Sequence, residues 1–292
     1  GFSGFEYIFF PDFIEAFGCH PSYIDASLTA LEIMTEHSSA EFAIRPFLER
    51  FPEQTWGQLQ RWAQSPNEHH RRLASEGSRP RLPWARRLSV FSDPTQRLPI
   101  LEQLKRDESP YVRKSVANHL NDLGKDHPDW LLSIAHEWLG QHPHTDWIVK
   151  HACRNLLKQS NPKALRLFGY RATPDIELEA LICSPTVSLG DTLAFAFTLQ
   201  TRAQKLGRLR IEFAIDYVKA NGKWSPKRFK LAEGEYPTNL RHFEKQLLFK
   251  PLTTRRHYPG THRLSIIVNG EVKASATFDL KIPKRQKTKV SH

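Results

Sequence analysis

Long apolar runs are missing from these 292 residues. No stretch approaches the ~20 residues a membrane-spanning helix requires, and no signal-peptide pattern opens the chain. Cysteine is scarce: Cys19, Cys153 and Cys183 are far apart and odd in number. That argues against a disulfide framework or a Cys-based zinc site and fits a reduced cytoplasmic setting. Glycine-rich phosphate loops and a Gly-x-Ser-x-Gly elbow are absent, so no nucleotide or other cofactor is expected. The fourteen histidines include the pairs His69-His70 and His142/His144. Neither has a third ligand at metal-site spacing, so no metal is expected. The chain starts Gly1-Phe2-Ser3-Gly4 without methionine and reads as a fragment.

What is present is positive charge, unevenly spread. The formal net charge is +11, yet residues 1–60 are net −7, residues 61–174 net +8 and residues 175–292 net +10. Two basic blocks behind an acidic start suggest one extended positive surface and a nucleic-acid partner. The alternative is a soluble basic protein with solvated charges. No Lys-rich amphipathic helix with an aromatic face points to a membrane.

Up to about Tyr170 the hydrophobic period is helical. Leu28, Leu31, Ile33 and Met34 recur at helical spacing, as do Phe42, Ile44, Phe47 and Leu48, with Ser38 and Ser39 available as caps. Further helices are expected at 55–64, 67–76, 95–106, 110–124, 128–140, 145–158 and 161–169. A weak repeat aligns Ala74, Ala117 and Ala152, 43 and 35 residues apart, near the period of HEAT-type hairpins. Basic residues precede each alanine and would line a concave face; pairing with acids between repeats is the other possibility. From about Asp175 the period becomes two. Leu193, Phe195, Phe197 and Leu199 alternate with small or polar residues, and so do Leu209, Ile211, Phe213, Ile215 and Tyr217. Asn221-Gly222 and Asn269-Gly270 mark hairpins. The fold class expected is therefore a HEAT-like α-helical solenoid over 1–173, an immunoglobulin-like β-sandwich over 174–283 and a disordered basic tail over 284–292.

The stretch from Ser65 to Arg87 concentrates arginine at 71, 72, 79, 81, 86 and 87, ending in an Arg79-Pro80-Arg81-Leu82-Pro83-Trp84 corner. Guanidinium groups at this density suit phosphates. Glu76 sits inside that positive field, either as the structural partner of Arg72 or Arg79 or as a catalytic group. Glu41 has two readings, a helix N-terminal acid favoured by the dipole or a functional acid. Asp122 can cap a helix end near Gly124 or act in a site.

Several long motifs carry a resemblance. They are Ala40-Glu41-Phe42-Ala43-Ile44-Arg45-Pro46-Phe47-Leu48, the Glu68 to Trp84 stretch, Tyr111-Val112-Arg113-Lys114-Ser115-Val116-Ala117-Asn118-His119-Leu120-Asn121-Asp122, Asp126-His127-Pro128-Asp129 and Lys150-His151-Ala152-Cys153-Arg154-Asn155-Leu156-Leu157-Lys158. Together they resemble the AlkC branch of the HEAT-like alkylpurine DNA glycosylases, over most of the chain. The resemblance implies excision of cationic N-alkylated bases, such as 3-methyladenine and 3-methylcytosine, from double-stranded DNA. It implies Glu76 as the catalytic carboxylate, Glu41 and Asp122 as supporting acids, and Trp84 packing on the lesion. DNA contacts are expected from Arg45, Arg71, Arg72, Arg79, Arg81, Arg86, Arg113, Lys114, Asn118, Lys150 and Arg154. Lys205, Arg208, Lys223, Lys227, Arg228, Arg255 and Arg256 add charge near expected loops of the β-domain. A monomer without metal or cofactor is expected; a non-catalytic DNA-binding scaffold is the alternative on the same fold.

Overall fold

The computed structural model describes residues 4–90, 93–251 and 256–282. The chain forms two compact units, Gly1–Leu156 and Leu157–His292. The described residues of the first hold α1 (Phe9–Gly18), α2 (Ile24–Thr35), α3 (Ile44–Arg50), α4 (Pro52–Trp62), α5 (Glu68–Gly77), α6 (Leu98–Leu104), α7 (Pro110–Asp126), α8 (Pro128–Trp138) and α9 (Pro143–Ala152). A short α10 (Arg154–Lys158) runs across the boundary, and α11 (Pro162–Leu167) follows in the second unit.

Proline sets five of these starts. Pro52, Pro110, Pro128, Pro143 and Pro162 stand at the first helical position, where an amide would have no partner and the fixed φ already suits a helix. Asn67 caps α5 by accepting the His69 N–H at 2.9 Å. Helices α5, α7 and α9 lie side by side, as a helical repeat requires. The three alanines that the repeat aligned, Ala74, Ala117 and Ala152, are fully buried, since only a small side chain lets neighbouring helices approach at those points.

Three local expectations differ from the structure. The helix expected over 145–158 breaks at Cys153. Ser38 and Ser39 cap nothing: α3 begins at Ile44 with Ala43 before it, and the Ser39 hydroxyl donates to Glu41 instead. Asp122 is no cap either, because α7 continues to Asp126.

The second unit is a sandwich of two sheets. One orders β1 (Ile176–Cys183), β3 (Thr192–Thr201) and β6 (Leu240–Leu248), all antiparallel. The other orders β2 (Thr186–Ser188), β8 (Glu271–Lys281), β7 (Gly260–Val268), β4 (Gly207–Val218) and β5 (Trp224–Tyr236), with β2 parallel to β8. Alternation dictates the core: Leu193, Phe195, Phe197 and Leu199 of β3 and Leu209, Ile211, Phe213 and Ile215 of β4 are all buried in it. Asn269 (φ 46°) and Gly270 (φ 89°) form the tight turn between Val268 and Glu271, a left-handed pair that asparagine and glycine tolerate best.

The division between the units falls at 156/157, earlier than the expected Thr173-Pro174. Residues 157–173 are fastened to the sandwich. Asn269 Nδ2 donates to the Arg171 carbonyl at 2.9 Å, the Thr173 N–H donates to Glu271 at 3.2 Å, and Gly270 abuts Leu165 and Ser160. The expected basic tail and Arg255 lie outside the described residues. Lys227 and Arg228 belong to β5 rather than to a loop, and Arg228 is drawn into the sheet's ion network, 3.7 Å from Glu212.

Candidate active site

Glu76 stands at the penultimate position of α5, with only 6% of its surface exposed. Burying a carboxylate requires partners, and two groups hold it closely. Arg79 Nη1 lies 2.5 Å from Oε1, and the Ser115 hydroxyl of α7 donates to Oε2 at 2.6 Å. Arg79 then reaches Asp122 on α7, with Nε at 2.8 Å and Nη2 at 2.7 Å from Oδ2. Lys125 donates to the other Asp122 oxygen at 3.0 Å. Burial opposes the Arg79 charge, but the two carboxylates outweigh it and hold the guanidinium above its ordinary value. One arginine therefore fixes two acids on neighbouring helices.

A second arginine extends the cluster. Arg72 Nη2 lies 2.5 Å from Glu41 Oε2 and 3.9 Å from Glu76 Oε1, while Nη1 donates to Ser39 at 2.8 Å. Ser39 also donates to Glu41 Oε2 at 2.7 Å. The Arg72 guanidinium lies 4.7 Å from the ring centre of Tyr111, a cation–π contact that holds its orientation. Burial pushes the Tyr111 phenol above its ordinary value.

Beyond α5 the chain turns through the proline corner. Gly77 marks where α5 meets α3, since a Cβ there would sit 2.5 Å from Ile44 Cγ2. Two buried guanidiniums then grip the corner's backbone. Arg45 donates to the carbonyls of Gly77 (3.2 Å), Arg79 (2.7 Å) and Arg86 (2.7 Å). Arg97 donates to those of Ser78 (3.2 Å) and Val90 (2.7 Å). Burial, with Arg45 nearby, pushes Arg97 down to about 10. The grip presents Trp84 to solvent, 92% exposed and at φ 65°. That left-handed backbone is strained for a tryptophan, by ~1–3 kcal/mol, so the surroundings impose it.

Residues 26–156 match the family model of DNA alkylation repair enzymes. Residues 177–282 match that of the C-terminal Ig-like domain of the uncharacterised protein YhaZ. Over 287 residues the chain is 50% identical to the "Uncharacterized protein YhaZ" of Bacillus subtilis (strain 168), covering 96% of this chain and 78% of that one. The chain belongs to the DNA alkylation repair family. A solved structure, the Pseudomonas fluorescens alkylpurine DNA glycosylase AlkC bound to DNA containing an abasic site analog, matches with a TM-score of 0.91 at 44% identity. The match again covers 96% of this chain and 78% of that one.

Within this AlkC-like fold the residues expected to act divide into groups. Glu76, Asp122 and Glu41 come together through Arg79 and Arg72. Trp84 lies on the corner that leads out of α5. Arg45 and Arg79 are buried and committed to carbonyls and carboxylates, so the phosphate contacts expected of them are replaced by a positioning role. Arg71 pairs with Asp107 at 2.6 Å and folds back onto the Ser65 and Pro66 carbonyls. Arg113 does the same with the Asp107 and Glu108 carbonyls. Arg81 and Arg87 share Asp126 at 2.5 Å each. Arg86 and Lys114 are exposed, whereas Asn118, Lys150 and Arg154 are partly so. His142 accepts the His144 N–H as a helix cap at 3.2 Å. Among the described residues no cluster of three His, Cys, Asp or Glu side chains can hold a metal, and no helix is long and apolar enough to cross a membrane.

Sequence reasoning missed Ser115 and Arg97. Ser115 was legible in principle, because it lies seven residues before Asp122 and so shares its helix face. Arg97 carries no such signal, since its partners are backbone carbonyls.

Proposed function

We propose that this protein is a DNA glycosylase that excises cationic N-alkylated bases, such as 3-methyladenine and 3-methylcytosine, from double-stranded DNA. The observation that carries the reading is the pairing of a three-carboxylate cluster, cross-braced by Arg72 and Arg79, with a tryptophan held out in solvent by a strained corner. A core has no need of that tryptophan, and an ordinary surface would not bury those acids.

The chemistry follows from the substrate. A base alkylated on a ring nitrogen carries a positive charge and leaves as a neutral molecule, so little general-acid help is needed. The developing demand is on the sugar, which becomes oxocarbenium-like, and on the water that attacks its anomeric carbon. Carboxylates beside the sugar meet both needs. Glu76 and Asp122 have both oxygens engaged by Arg79, Ser115 and Lys125, an arrangement that fixes negative charge in place and suits electrostatic stabilisation. Glu41 is bound through Oε2 alone, which leaves its other oxygen to orient water. The Trp84 indole packs against the lesion, with a cation–π attraction of about 0.5–2 kcal/mol for a charged base. Exposed Arg86 and Lys114 contact phosphates, giving affinity that falls with salt.

The test is release of free base from methylated DNA, quantified by mass spectrometry, for the parent protein, Glu76→Gln and Glu41→Gln. The expected result is release by the parent and a loss of at least about tenfold in each variant, ~1.4 kcal/mol of barrier. Equal release by the parent and Glu76→Gln would remove Glu76 from the chemistry. DNA binding without base release by the folded parent would leave a binding scaffold.

A further inference from the structure

Helix α9, packed beside α7, carries a second aromatic feature outside the carboxylate cluster. Trp147 projects from α9 with 46% of its surface exposed, whereas Trp62 and Trp138 are core residues. Its indole stacks on the imidazole of His151, one helical turn on, with ring centres 5.1 Å apart and planes within 5°. Spacing of four residues on a helix permits that stack, so the imidazole backs one face of the indole. Burial, together with the nearby charges of Arg154 and Lys114, pushes His151 below the ordinary histidine value. The imidazole is thus neutral and aromatic at neutral pH.

Around the stack the charge is positive and fixed. Arg154 is oriented by the His151 carbonyl at 2.7 Å and by Asn118 Oδ1 of α7 at 3.0 Å. Lys114 of α7 is exposed and close enough to influence His151. The adjacent acid of α9, Asp146, is turned away and accepts the Gly140 N–H at 2.6 Å. On α7 Asn118 is one turn before Asp122, and Arg154, which Asn118 holds, feels the Asp122 charge, so the stack borders the carboxylate cluster. A flat neutral ring surface rimmed by cations has the two features a nucleotide recognises, a π-face for the base and donors for the phosphate.

We propose that the Trp147–His151 stack is a platform for one unstacked nucleobase of the bound DNA, with its flanking phosphate on Lys114 and Arg154. The proposal rests on the reading of this chain as a DNA-acting protein and adds a site outside the carboxylate cluster. A base displaced from the duplex near the lesion would be held there, widening access of the carboxylates to the sugar.

The probe is a pair of short duplexes, one fully paired and one identical but for a single bulged 2-aminopurine, titrated against the protein by fluorescence anisotropy. The parent is expected to bind the bulged duplex more tightly and to quench its 2-aminopurine. Trp147→Ala should lose about tenfold on the bulged duplex, the scale of one base–aromatic stack, and change little on the paired one. Trp147→Phe should keep most of the preference. Lys114→Ala should weaken both duplexes and lower the salt slope by about one phosphate. An unchanged ratio of the two affinities in Trp147→Ala, or bulge binding without quenching, would overturn the platform. Base release measured on the same preparations separates the two readings. Release without bulge preference refutes the platform alone, and a parent that binds neither duplex refutes both.

Discussion

Each half of the chain buries a neutral histidine and an arginine–carboxylate network, and the surroundings set the two apart. His119 in the helical unit and His262 in the sandwich each place Nδ1 against a backbone carbonyl, of Ser75 at 3.0 Å and of Gly260 at 2.8 Å. Both leave Nε2 buried without a protein partner. Burial lowers both, but His119 also faces Arg97, Arg79 and Arg45 and falls well below its ordinary value, whereas the Gly260 bond and Asp279 partly offset the effect at His262. The networks differ likewise. In the sandwich Arg210 pairs with Glu212 and Glu233, both at 2.8 Å, and Arg228 and Lys230 stand by at 3.7 Å from Glu212 and Glu233 respectively. Burial pushes Glu212 above the usual carboxylate range. In the helical unit Arg79 alone bridges Glu76 and Asp122. Both networks hold further cations, for Arg72 lies 3.9 Å from Glu76 and Lys125 3.0 Å from Asp122. They differ in burial: both acids that Arg79 joins are buried, whereas Glu233 of the sheet reaches solvent more.

The sharpest way to break this contrast is to remove the two central arginines. Arg79→Met should cost about 3–5 kcal/mol, because two buried carboxylates lose their shared partner, and should abolish base release as well. Arg210→Met should cost less, since Glu233 is more exposed than either acid that Arg79 joins. Urea unfolding of both variants, read by circular dichroism, checks the order; equal losses would show that exposure of the acids is not what distinguishes the networks.

A smaller effect tests the histidines. An imidazole whose folded value lies below the ordinary 6.5 binds fewer protons folded than unfolded. Its contribution is complete above that pH and is lost as the pH falls through it. Stability should therefore drop below about pH 6.5, by up to ~1.4 kcal/mol per pH unit for one proton. His119→Gln should flatten that slope more than His262→Gln. Unfolding midpoints between pH 7.5 and 5 decide it, and identical slopes in the two variants would refute the role of the surrounding guanidiniums.

The smallest effect belongs to Asp126, whose carboxyl the Arg81 and Arg87 guanidiniums hold below its usual range. This grip lies near the surface, so Asp126→Asn should cost under about 1 kcal/mol and less still at high salt. A larger loss of thermal stability would mean that the grip, rather than Arg45 and Arg97, maintains the corner.

Much of this molecule was legible before any coordinate. Periodicity placed the helices and strands, and the Ala74, Ala117 and Ala152 alignment anticipated three helices packed side by side, because small residues at a fixed interval are what close packing demands. The Asn269-Gly270 turn was equally plain. The candidate site was legible in its acids and its tryptophan, which local motifs carry. It was not legible in its arginines. Arg45 and Arg79 read as phosphate ligands because a side chain's charge is written in the sequence and its burial is not.

The sequence by itself determined the two-part architecture and the net positive charge, since period and composition are local properties. Only the tertiary structure decided which guanidiniums face inward, that Ser115 reaches Glu76 across two helices, and that Trp84 stands exposed on a left-handed corner. Those facts depend on contacts between residues some forty positions apart, and the energy of burying a charge is fixed by what the whole fold brings to meet it.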